Sequence, residues 1–472
     1  MISLASDRLL SRREFVVGAG AAVASLPFLK LDDAFAAEKR PNFVFILTDD
    51  QRWDAMSCAG HPFLRTPNID RIAKEGVRFT NAFVTTSLCS PSRATFHTGM
   101  YVHSHGIKDN KTQWPDKIPT YSQLLQKAGC DTAFIGKWHM DNQDGPHPGF
   151  NRWVSFQGQG PYYNPTLNVD GEKVPSTGYT TDLLTEHAVK WLKQPRNGPF
   201  SLCLWHKACH EPFSPAVRHS KLYENAPIPH PESLDDTLDG KPSWQQKNRP
   251  DAKPSAQAEQ RKQTREERIR DYCRTIVGID DSVGRVLRTL EEMGVLDSTV
   301  VVFAGDNGFL WGEHGQGDKR CMYEESIRIP LVMRYPACVK PGTLSDNIVL
   351  NIDVCPTFLD LAGVPIPEKV EGKSVGPLLT GRDREWRTDF LYEYDLETPY
   401  VRKPAVRGIR NERWKYIEYP DYPGEYELYD VQTDPLEMHN LINDPKHAKT
   451  LAKMRIRFRE LMTKAGYEVV TK

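Results

Sequence analysis

The chain has 472 residues, a net charge of −1 and 39% apolar residues. This length can bury one large core or form about three domains of roughly 150 residues each. Basic and acidic residues are interspersed, so the charge gives no reason to expect nucleic acid as a partner. The nine cysteines form no regular framework, although Cys203 and Cys209 are close enough in sequence to pair.

The first predicted element is an export signal. Arg12 and Arg13 precede an apolar stretch, Val17 to Phe28, and Ala34 to Ala36 offers small residues at the spacing that a signal peptidase reads. Residues 1–36 therefore resemble a twin-arginine signal with cleavage after Ala36. A membrane anchor needs about 20 apolar residues, so no permanent anchor is expected. The pattern predicts a periplasmic or secreted protein that uses the twin-arginine translocase.

Buried strands and helices alternate from about Arg40 onward. This pattern predicts an α/β fold with a large, mostly parallel or mixed sheet that helices cover on both faces. The main strands are predicted at Phe43–Leu47, Arg78–Val84, Thr132–Ile135, Phe200–Trp205 and Val300–Ala304. The main helices are predicted between Thr66 and Gly76, and at Thr120–Ala128, Tyr179–Lys193, Ile269–Leu290 and Val354–Leu361.

The remaining segments predict an insertion and a smaller C-terminal part. The stretch Asn225–Ala258 is rich in Pro, Asp, Lys and Gln, which predicts a surface insertion over the site. After a connection at Gly372–Arg387, short strands and a closing helix are predicted at Asp389–Tyr394, Ala405–Arg410, Arg413–Tyr419, Tyr426–Tyr429 and Asp444–Ala465. These limits predict a large domain over residues 40–380 and a small C-terminal α+β subdomain, with a short antiparallel sheet, over residues 385–472.

Polar residues follow two of the predicted buried strands. Asp49 and Asp50 come after the first of these strands, and Asp306 and Asn307 come after the last. Carboxylate and amide oxygens suit hard divalent cations, so these four residues are predicted to bind a divalent cation such as Ca²⁺. Each pair alone also fits a turn or a helix cap, but two pairs at two strand ends favour the metal site.

The most informative stretch is Cys89-Ser90-Pro91-Ser92-Arg93, with Thr95 and Gly99 after it. The other motifs are Asp49-Asp50, Gly136-Lys137-Trp138-His139, His210-Glu211-Pro212-Phe213, and Asp306-Asn307-Gly308 through Gly312-Glu313-His314-Gly315 to Lys319. In this order they resemble the sulfatase family, the formylglycine-dependent sulfate ester hydrolases of the alkaline phosphatase superfamily. The resemblance implies an alkaline phosphatase-like fold, and a C-terminal part like the small subdomain of sulfatases.

For Cys89 the resemblance implies oxidation to formylglycine (3-oxoalanine) by a formylglycine-generating or sulfatase-maturing enzyme. The hydrated aldehyde carries two hydroxyls on one carbon, of which one attacks sulfur and the other serves to release sulfate. The Ca²⁺ ion would lower the pKa of this hydrate, so that Asp306 can act as its base. Because twin-arginine export carries folded protein, conversion is expected in the cytoplasm. A buried structural thiol is the alternative for Cys89.

The same resemblance assigns four more residues. Arg93 would reach the hydrate and the metal-ligand carboxylates with its planar fork of donors. Lys137 and Lys319 would bind the sulfate group, and His139 would hydrogen-bond the second hydroxyl of the hydrate. An ordinary surface residue is the alternative for each. Lys137 and His139 come directly after a buried strand, and this position favours a role in the site over an ordinary surface position.

Two histidines compete for one further family position. The chain has Lys207-Ala208-Cys209 between His206 and His210, one residue more than the family pattern of His, any residue, Pro and His. The Pro212-Phe213 that follows favours His210, and His206 is the alternative. The histidine in this position would contact sulfate and protonate the leaving oxygen, a task for a side chain that titrates near neutrality.

The expected activity is hydrolysis of a sulfated carbohydrate or of a small aryl or alkyl sulfate. Arg407–Tyr419 and Glu427–Asn440 look like the corresponding stretches of glycan sulfatases such as N-acetylglucosamine-6-sulfatases, which favours a carbohydrate. Specificity is expected in the loops Gln157–Pro175 and Asn225–Ala258. The candidates for a sugar pocket, each of which alone fits a packing or surface role better, are His147, Trp153, Tyr162, Tyr163, Trp244 and Arg249.

Two other functions fit the same motifs. A phosphonate monoester or phosphodiester hydrolase of the same superfamily uses the same formylglycine but prefers a transition metal. A comparison of activity with Ca²⁺ and with Mn²⁺ therefore distinguishes a sulfatase from such a hydrolase. A non-catalytic binder of sulfated glycans would require that Cys89 stays unconverted.

Overall fold

The computed structural model describes residues 40–115, 117–140, 145–246, 263–381, 385–398 and 403–467. The predicted export signal, residues 1–36, lies outside this part of the chain, and so does Arg249. Among the described residues, no helix has both the length and the apolar character needed to cross a membrane.

Strand β1, Asn42–Thr48, lies inside a ten-stranded sheet, and all seven of its residues are buried. It pairs in parallel with β8, Phe200–Trp205, on one side and with β9, Thr299–Gly305, on the other. Strand β4, Asp131–Gly136, pairs in parallel with β8. Because parallel strands end at the same edge of a sheet, the residues that follow these four strands lie near one another.

The outer strands make the sheet mixed rather than fully parallel. They are β2 (Val77–Phe79), β5 (Arg152–Ser155), β6 (Thr166–Val169), β7 (Glu172–Pro175), β12 (Leu331–Arg334) and β13 (Thr343–Ser345). Strand β12 is antiparallel to β9 and β2, and β6 is antiparallel to β5 and β7. The strand order is β13-β2-β12-β9-β1-β8-β4-β5-β6-β7. The predicted mixed α/β architecture is confirmed.

Helices cover both faces of this sheet. The helices in the described part of the chain are α1 (Pro67–Lys74), α2 (Cys89–Thr98), α3 (Val102–His105), α4 (Tyr121–Lys127), α5 (Thr180–Leu192), α6 (Ser243–Gln246), α7 (Arg265–Glu292), α8 (Glu324–Ile327), α9 (Val354–Leu361), α10 (Gly376–Leu379) and α11 (Ala448–Lys464). Alternate residues of a strand point to opposite faces. Val44 and Ile46 therefore pack with α1, α5 and α7, whereas Phe43 and Phe45 pack with α2, α4 and α9.

Local capping explains where two of these helices begin. The Thr120 side chain accepts a hydrogen bond from the Gln123 backbone, and the Gln123 side chain accepts one from the Thr120 backbone. Thr264 and Glu267 form the same reciprocal pair before α7. Such a capping box satisfies two backbone donors that the first turn of a helix leaves free. The sequence therefore predicted the start of α4 to within one residue.

The predicted strand Arg78–Val84 is wrong as a single element. The chain forms β2, bends at Thr80, and then forms β3, Ala82–Phe83. Strand β3 leaves the main sheet and pairs with β14, Val349–Leu350. The two halves of the apolar run thus find different partners, which a pattern of residue types cannot reveal.

The predicted surface insertion is also only partly at the surface. Of the described residues 225–246, Lys241, Trp244 and Gln245 are buried. The Lys241 ammonium donates to the backbone oxygen of Glu437 (2.7 Å), and the Trp244 ring packs against Tyr419 with centroids 5.4 Å apart. The polar composition of this segment predicted that it is exposed. The side chains of Lys241 and Gln245 are instead buried and hydrogen-bonded.

The C-terminal part is an antiparallel sheet with one long helix, as predicted. Its strands are β15 (Asp389–Tyr394), β16 (Val406–Asn411), β17 (Trp414–Glu418) and β18 (Tyr426–Asp430). One face packs against Met454 and Phe458 of α11. On the other face, the Tyr392 hydroxyl donates to the backbone oxygen of Cys321 (3.1 Å). The domain limits near residues 380–385 stay a prediction, and the predicted connection contains α10.

All nine cysteines are free thiols. The suggested pairing of Cys203 with Cys209 is therefore wrong. Cys203 lies on β8, with its Sγ 3.0 Å from the Tyr121 hydroxyl, whereas Cys209 packs in a different apolar cluster. Closeness in sequence does not bring the two thiols together, because the strand end directs them to different neighbours.

Candidate active site

Ten predicted site residues come together at the edge where the central strands end. Asp49 and Asp50 follow β1, Lys137 and His139 follow β4, His210 follows β8, and Asp306 and Asn307 follow β9. Cys89 is the first residue of α2, Arg93 lies one turn later, and Lys319 follows the short strand β11, Gly317–Asp318, which pairs with β10, Leu310–Trp311. The hydrogen bonds and ion pairs described next join these residues.

Three carboxylates converge in the candidate metal site. Asp49, Asp50 and Asp306 each offer an oxygen atom within 4.8 Å of the others. The Asp50 backbone donates to Asp306 Oδ1 (3.0 Å), and Asn307 Nδ2 donates to Asp50 Oδ1 (2.7 Å). Asn307 Oδ1 is buried and has no hydrogen-bond partner within the described part of the chain. Hard oxygen donors therefore face one another in the interior, which is the donor set that Ca²⁺ prefers.

The charges on these carboxylates are unequal. Burial, and repulsion from Asp49 and Asp306, raise the pKa of Asp50 to about 7. Burial and the charge of Asp49 also raise the pKa of Asp306. Burial alone would raise the pKa of Asp49 too, but Lys137 and Arg93 hold it well below its usual value. Crowded like charges of this kind are typical of functional sites, and a divalent cation would relieve them.

Arg93 holds the ends of three strands together. Its Nε donates to Asp306 Oδ2 (3.0 Å), one Nη donates to Asp49 Oδ2 (2.8 Å), and the other donates to the backbone oxygen of Lys137 (2.7 Å). The side chain is fully buried. A planar guanidinium suits this task because its donors are fixed in direction. Arg93 contacts the carboxylates that the sequence assigned to it.

The Cys89 thiol lies between the carboxylates and a lysine. Its Sγ is 3.4 Å from Asp49 Oδ1 and 3.0 Å from Lys319 Nζ, which also contacts Asp50 Oδ1. Burial, together with Asp49, raises the pKa of Cys89. The side chain is thus a protonated thiol at neutral pH and a poor nucleophile. Its position at the centre of the charged groups is nevertheless the one that a nucleophile needs.

The residues after β4 line the same region. Lys137 Nζ contacts Asp49 Oδ2 and the side-chain oxygen of Gln159. The Ser90 hydroxyl donates to the backbone oxygen of His139 and lies 3.4 Å from His139 Nδ1. Burial and the nearby Lys137 charge lower the pKa of His139 well below its ordinary value. His139 is therefore neutral in this arrangement, and its imidazole can accept a hydrogen bond.

Only one of the two competing histidines faces the carboxylates. His210 Nε2 lies 3.7 Å from Asp50 Oδ2, and its Nδ1 lies 2.6 Å from the backbone oxygen of Glu211. His206 is fully buried and contacts α7 instead, with Nε2 3.1 Å from the Ser282 hydroxyl. Since Nδ1 of His210 must donate to a carbonyl, Nε2 carries the lone pair of the neutral ring. This placement favours His210, the residue that the sequence preferred.

Sequence analysis missed a cation in the same region. Lys207 is buried, and its Nζ lies 4.7 Å from the centroid of the Tyr162 ring. Burial and repulsion from Lys137 lower the pKa of Lys207 to about 8. Tyr162 in turn donates its hydroxyl to the backbone oxygen of His210 (2.6 Å). Lys207 belongs to no recognised motif. The only feature of the sequence that could have pointed to it is its position between His206 and His210.

A second charged group adjoins Lys319. The Arg320 guanidinium donates to Glu397 Oε2 through two nitrogens (2.9 and 2.7 Å) and contacts Asp318. The Asn110 backbone donates to Glu397 Oε1 (3.3 Å), and Asn110 Oδ1 accepts from the Ser90 backbone (3.1 Å). The group is thus connected to the residue next to Cys89. Its polar side chains can form directed hydrogen bonds to a polyhydroxylated ligand.

Most of the proposed sugar-pocket residues lie elsewhere. Trp153 is buried and stacks on Phe134 with centroids 4.8 Å apart, and Trp244 is buried beneath the C-terminal sheet, so both suggestions are wrong. His147 stacks on Trp138 (4.3 Å). The Tyr163 hydroxyl donates to the backbone oxygen of Pro215 (2.7 Å). Large aromatic side chains in loops are as useful for packing as for binding sugars, and here packing prevails.

A comparison with protein families identifies the family of the chain. The family model described as Sulfatase matches residues 41–364. The chain belongs to the sulfatase family. A second model, described as N-sulphoglucosamine sulphohydrolase, C-terminal, matches residues 312–464 of this sulfatase. The two matches together span the sheet, the site and the C-terminal part.

Individual relatives agree with this assignment. The sulfatase is 35% identical to an N-acetylglucosamine-6-O-sulfatase of Bacteroides thetaiotaomicron, over 87% of this chain and 84% of the relative. It is 28% identical to the human N-acetylglucosamine-6-sulfatase, over 91% of this chain and 86% of the relative. A solved structure of a protein in complex with its substrate, D-glucosamine-2-N,6-O-disulfate, superposes with a TM-score of 0.84 at 34% identity and covers 91% of this chain and 98% of that one.

Proposed function

We propose that this sulfatase removes sulfate from a sulfated, glycosaminoglycan-like carbohydrate, with formylglycine derived from Cys89 and with one bound Ca²⁺ ion. The observation that carries the proposal is the position of Cys89 at the start of α2. Three carboxylates and the cations Arg93, Lys137 and Lys319 surround it there. The carbohydrate class is supported by the names of the relatives and by the bound disulfated glucosamine in the superposed structure.

The residues that would hold calcium are Asp49, Asp50, Asp306 and Asn307. Asn307 Oδ1, which is buried and has no partner among the residues that the structure describes, and the raised pKa of Asp50 support a divalent cation at this position. A bound Ca²⁺ ion would neutralise charge on a sulfate oxygen and on the nucleophile. Lys137 and Lys319 contact Asp49 and Asp50, and thereby offset part of the negative charge that crowds this site.

Hydrolysis of a sulfate ester needs an oxygen nucleophile, positive charge around the sulfuryl oxygens and an acid for the leaving alcohol. Formylglycine supplies the nucleophile as a hydrated aldehyde. Among the chain's own residues, Lys319 contacts Cys89 and Lys137 contacts the neighbouring Asp49, and both are placed to bind the sulfate oxygens. Arg93 keeps Asp49 and Asp306 in position for proton transfer and metal binding.

The two histidines have complementary roles in this proposal. The hydrogen bond from Nδ1 of His210 to Glu211 fixes the ring with the lone pair of Nε2 toward the site, so Nε2 must first take up a proton before it can pass one to the leaving oxygen. His139, held by Ser90, accepts the proton of the second hydroxyl of the nucleophile. Lys207 adds a third ammonium close to Lys137, and it is placed to bind an anionic group that Lys137 alone would not neutralise.

The sugar itself is proposed to contact the group that adjoins Lys319. Arg320, Glu397 and Asp318 offer two acceptors and a fork of donors next to the sulfate-binding lysine. Asn110 connects this group to Ser90, so a ligand bound there would lie beside Cys89. A hydroxyl-rich ring suits such paired donors and acceptors better than an aryl group does.

Export is part of the same proposal. Residues 1–36 carry the twin-arginine pattern, so the enzyme would act in the periplasm or outside the cell. The maturing enzyme would convert Cys89 in the cytoplasm, before the translocase takes up the folded protein. The aldehyde should therefore already be present in cytoplasmic precursor. Precursor with only unmodified thiol, beside exported protein with aldehyde, contradicts this order of events.

The proposal is tested by mass spectrometry of the tryptic fragment from Phe79 to Arg93 together with a sulfate-release assay. Protein is produced in a host that matures a reference sulfatase, and Cys89→Ala is the matched control. Oxygen replaces sulfur and two hydrogens leave, so the fragment should lose about 18 mass units. We expect sulfate release from sulfated glucosamines with Ca²⁺ and none from the control. Turnover of phosphonate monoesters with Mn²⁺ instead, or an unmodified thiol in this host, rejects the proposal.

A further inference from the structure

Helix α11 carries an unusual concentration of positive charge. Its 17 residues include six Lys or Arg and one Glu, although the whole chain has a net charge of −1. The longest helix, α7, has six basic and seven acidic residues. Positive charge of this density on one helix attracts polyanions and is not required for helix formation.

Several of these cations are free to bind a ligand. Lys449, Lys453, Arg459 and Lys464 are exposed, and none of their side chains forms a hydrogen bond or an ion pair with another described residue. Arg457, in contrast, is paired with Asp389 and with Glu460. The apolar side of α11 packs on the C-terminal sheet through Met454 and Phe458, so the basic side faces outward.

A groove of about 590 Å³ runs along the same helix. Lys464 and Lys373 line it, together with the aromatic rings of Tyr101 and Trp386. The Trp386 ring is fixed because its Nε1 donates to the backbone oxygen of Ile348 (2.7 Å), and Lys373 Nζ lies 5.9 Å from its centroid. Fixed aromatic rings beside free ammonium groups can stack on sugar rings and pair with sulfates.

The acidic residues of the groove do not cancel this charge. Glu371 accepts from the Tyr101 backbone (2.7 Å) and contacts His103, and Asp389 is bonded to Arg457. Glu368 is the remaining acid among the lining residues. Lys373, Lys464 and the exposed cations of α11 therefore leave a positive surface.

We propose that this groove and the exposed basic side of α11 form a second binding site, which holds a sulfated glycan chain away from the catalytic centre. The proposal rests on the proposed function, since an enzyme that desulfates glycans meets such chains at high local concentration. Charge complementarity selects the sulfated chain, and the aromatic rings favour a carbohydrate over other polyanions.

The site is too far from Cys89 to contact the same sugar. Tyr101 and His103 follow the C-terminal end of α2, whereas Cys89 begins that helix. A helix of ten residues is about 14 Å long, so the length of α2 separates Cys89 from the groove residues that follow this helix. A monosaccharide therefore occupies one site or the other, and only a longer chain can use both.

The test uses the triple variant Lys373→Gln, Lys453→Gln and Lys464→Gln. Its matched control is Lys127→Gln, Lys190→Gln and Lys340→Gln, which removes three exposed lysines from other surfaces. Binding to immobilised heparin is measured over a range of salt concentrations. Loss of three cationic contacts should weaken binding roughly tenfold at moderate salt and flatten its salt dependence. The control should bind as the unaltered protein does.

Binding and turnover are measured separately, so the two proposals can fail separately. The binding assay uses protein with unconverted Cys89 and does not need catalysis. With mature enzyme, KM for a sulfated polysaccharide should rise about tenfold in the triple variant, in step with the lost contacts, while kcat/KM for a sulfated monosaccharide stays unchanged. Equal heparin binding by variant and control overturns the second site. The unaltered protein is also tested on immobilised DNA. If DNA retains it as strongly as heparin does, the assignment of the second site to glycans is wrong.

Discussion

The active site and the interior beneath the C-terminal sheet are both built from buried charges, but they are arranged differently. Beneath the sheet, Lys415 Nζ lies 3.0 Å from Glu324 Oε1 and 2.6 Å from Glu437 Oε1, and it donates to the backbone oxygen of Met322. Opposite charges alternate there. In the active site, three carboxylates face one another and the side-chain oxygen of Asn307 has no partner among the described residues.

The pKa values reflect this difference. Burial would raise the pKa of Glu324, but Arg410 and Lys415 together outweigh it and lower this pKa, so the carboxylate is ionised and compensated. Burial and the charge of Glu324 do raise the pKa of Glu437, which Lys415 offsets in part. Burial and repulsion from Asp49 and Asp306 raise the pKa of Asp50 to about 7. Residue types alone therefore do not separate a structural cluster from a functional one. The arrangement of like and unlike charges does.

The largest expected effect is that of Asp50→Asn. Removal of a metal ligand should lower sulfatase activity by about three orders of magnitude, as loss of a principal electrostatic contact in a site does. Stability should change in the opposite direction. Without added metal, the variant should be more stable at pH 7 by roughly 1–2 kcal/mol, because a repelled carboxylate is gone.

The pH dependence follows from the raised pKa. The folded protein holds a proton on Asp50 up to about pH 7, whereas the unfolded chain releases it near pH 4. Stability of the metal-free protein should therefore fall as the pH rises from 4 to 7, and Ca²⁺ should restore it. Thermal unfolding with EDTA or Ca²⁺ measures both effects. Equal stabilisation of Asp50→Asn by Ca²⁺ would falsify the metal assignment.

The next effect is that of Lys415→Met in the C-terminal cluster. Removal of this buried cation leaves Glu324 and Glu437 without their partner and should destabilise the fold by about 3–5 kcal/mol. Well below its unfolding temperature the variant should keep its kcat, because Lys415 contacts no active-site residue among those described. Denaturant unfolding and activity at 20 °C are compared. If Lys415→Met is as stable as the unaltered protein but loses activity, this cluster does not have a purely structural role.

Lys207→Met should have a smaller effect than Lys415→Met. It separates a residue that acts in the active site from a residue that only stabilises the fold. Lys207 is a buried cation without an ion pair in the described structure, so its removal should cost little stability. If it binds an anionic group of the substrate, kcat/KM should fall about tenfold, mainly through KM. Lys207→Arg should recover part of this loss, and Lys127→Met is the surface control. Unchanged kcat/KM assigns Lys207 to packing against Tyr162.

The smallest effect is expected at His103. Burial disfavours its charge, but hydrogen bonds to Glu371 and Glu393 raise the pKa of His103 to about 9. A raised histidine pKa stabilises the fold fully below pH 6.5, and this contribution is lost as the pH rises through 9. The expected size is about 1–2 kcal/mol, since part of the ring contacts solvent. In thermal melts, the stability of His103→Gln should not show this fall with rising pH. If the variant and the unaltered protein have the same pH profile, His103 does not make this contribution.

The strand-end residues were predictable because their signal is local. A fully buried parallel strand is a continuous apolar run, and Asp49, Asp50, Asp306 and Asn307 stand directly where such runs stop. The position of Lys137 after β4 follows from the same rule. Parallel strands end at the same edge of a sheet, so the predicted parallel sheet already implied that these residues lie near one another.

The errors arose where the partner was distant in sequence. Trp153 and Trp244 were candidates for a sugar pocket, with packing as the better-fitting alternative for each, and they do pack against Phe134 and Tyr419. Lys207 was overlooked because only its position against Tyr162 and near Lys137 makes it part of the site. The basic residues of α11 were visible in the sequence, but their outward direction and the groove beside them depend on packing.

By itself, the sequence determined the α/β class, the family and the identity of the groups that converge on Cys89, since local patterns and motif order carry that information. Only the tertiary structure decided that His210 rather than His206 faces Asp50, and that Lys241, Trp244 and Gln245 enter the interior. It also decided that three carboxylates lie close together beside an amide oxygen that has no partner among the described residues. The physical reason is that pKa values, pairing and burial depend on atoms brought together from distant segments, and the residue types alone do not specify those distances.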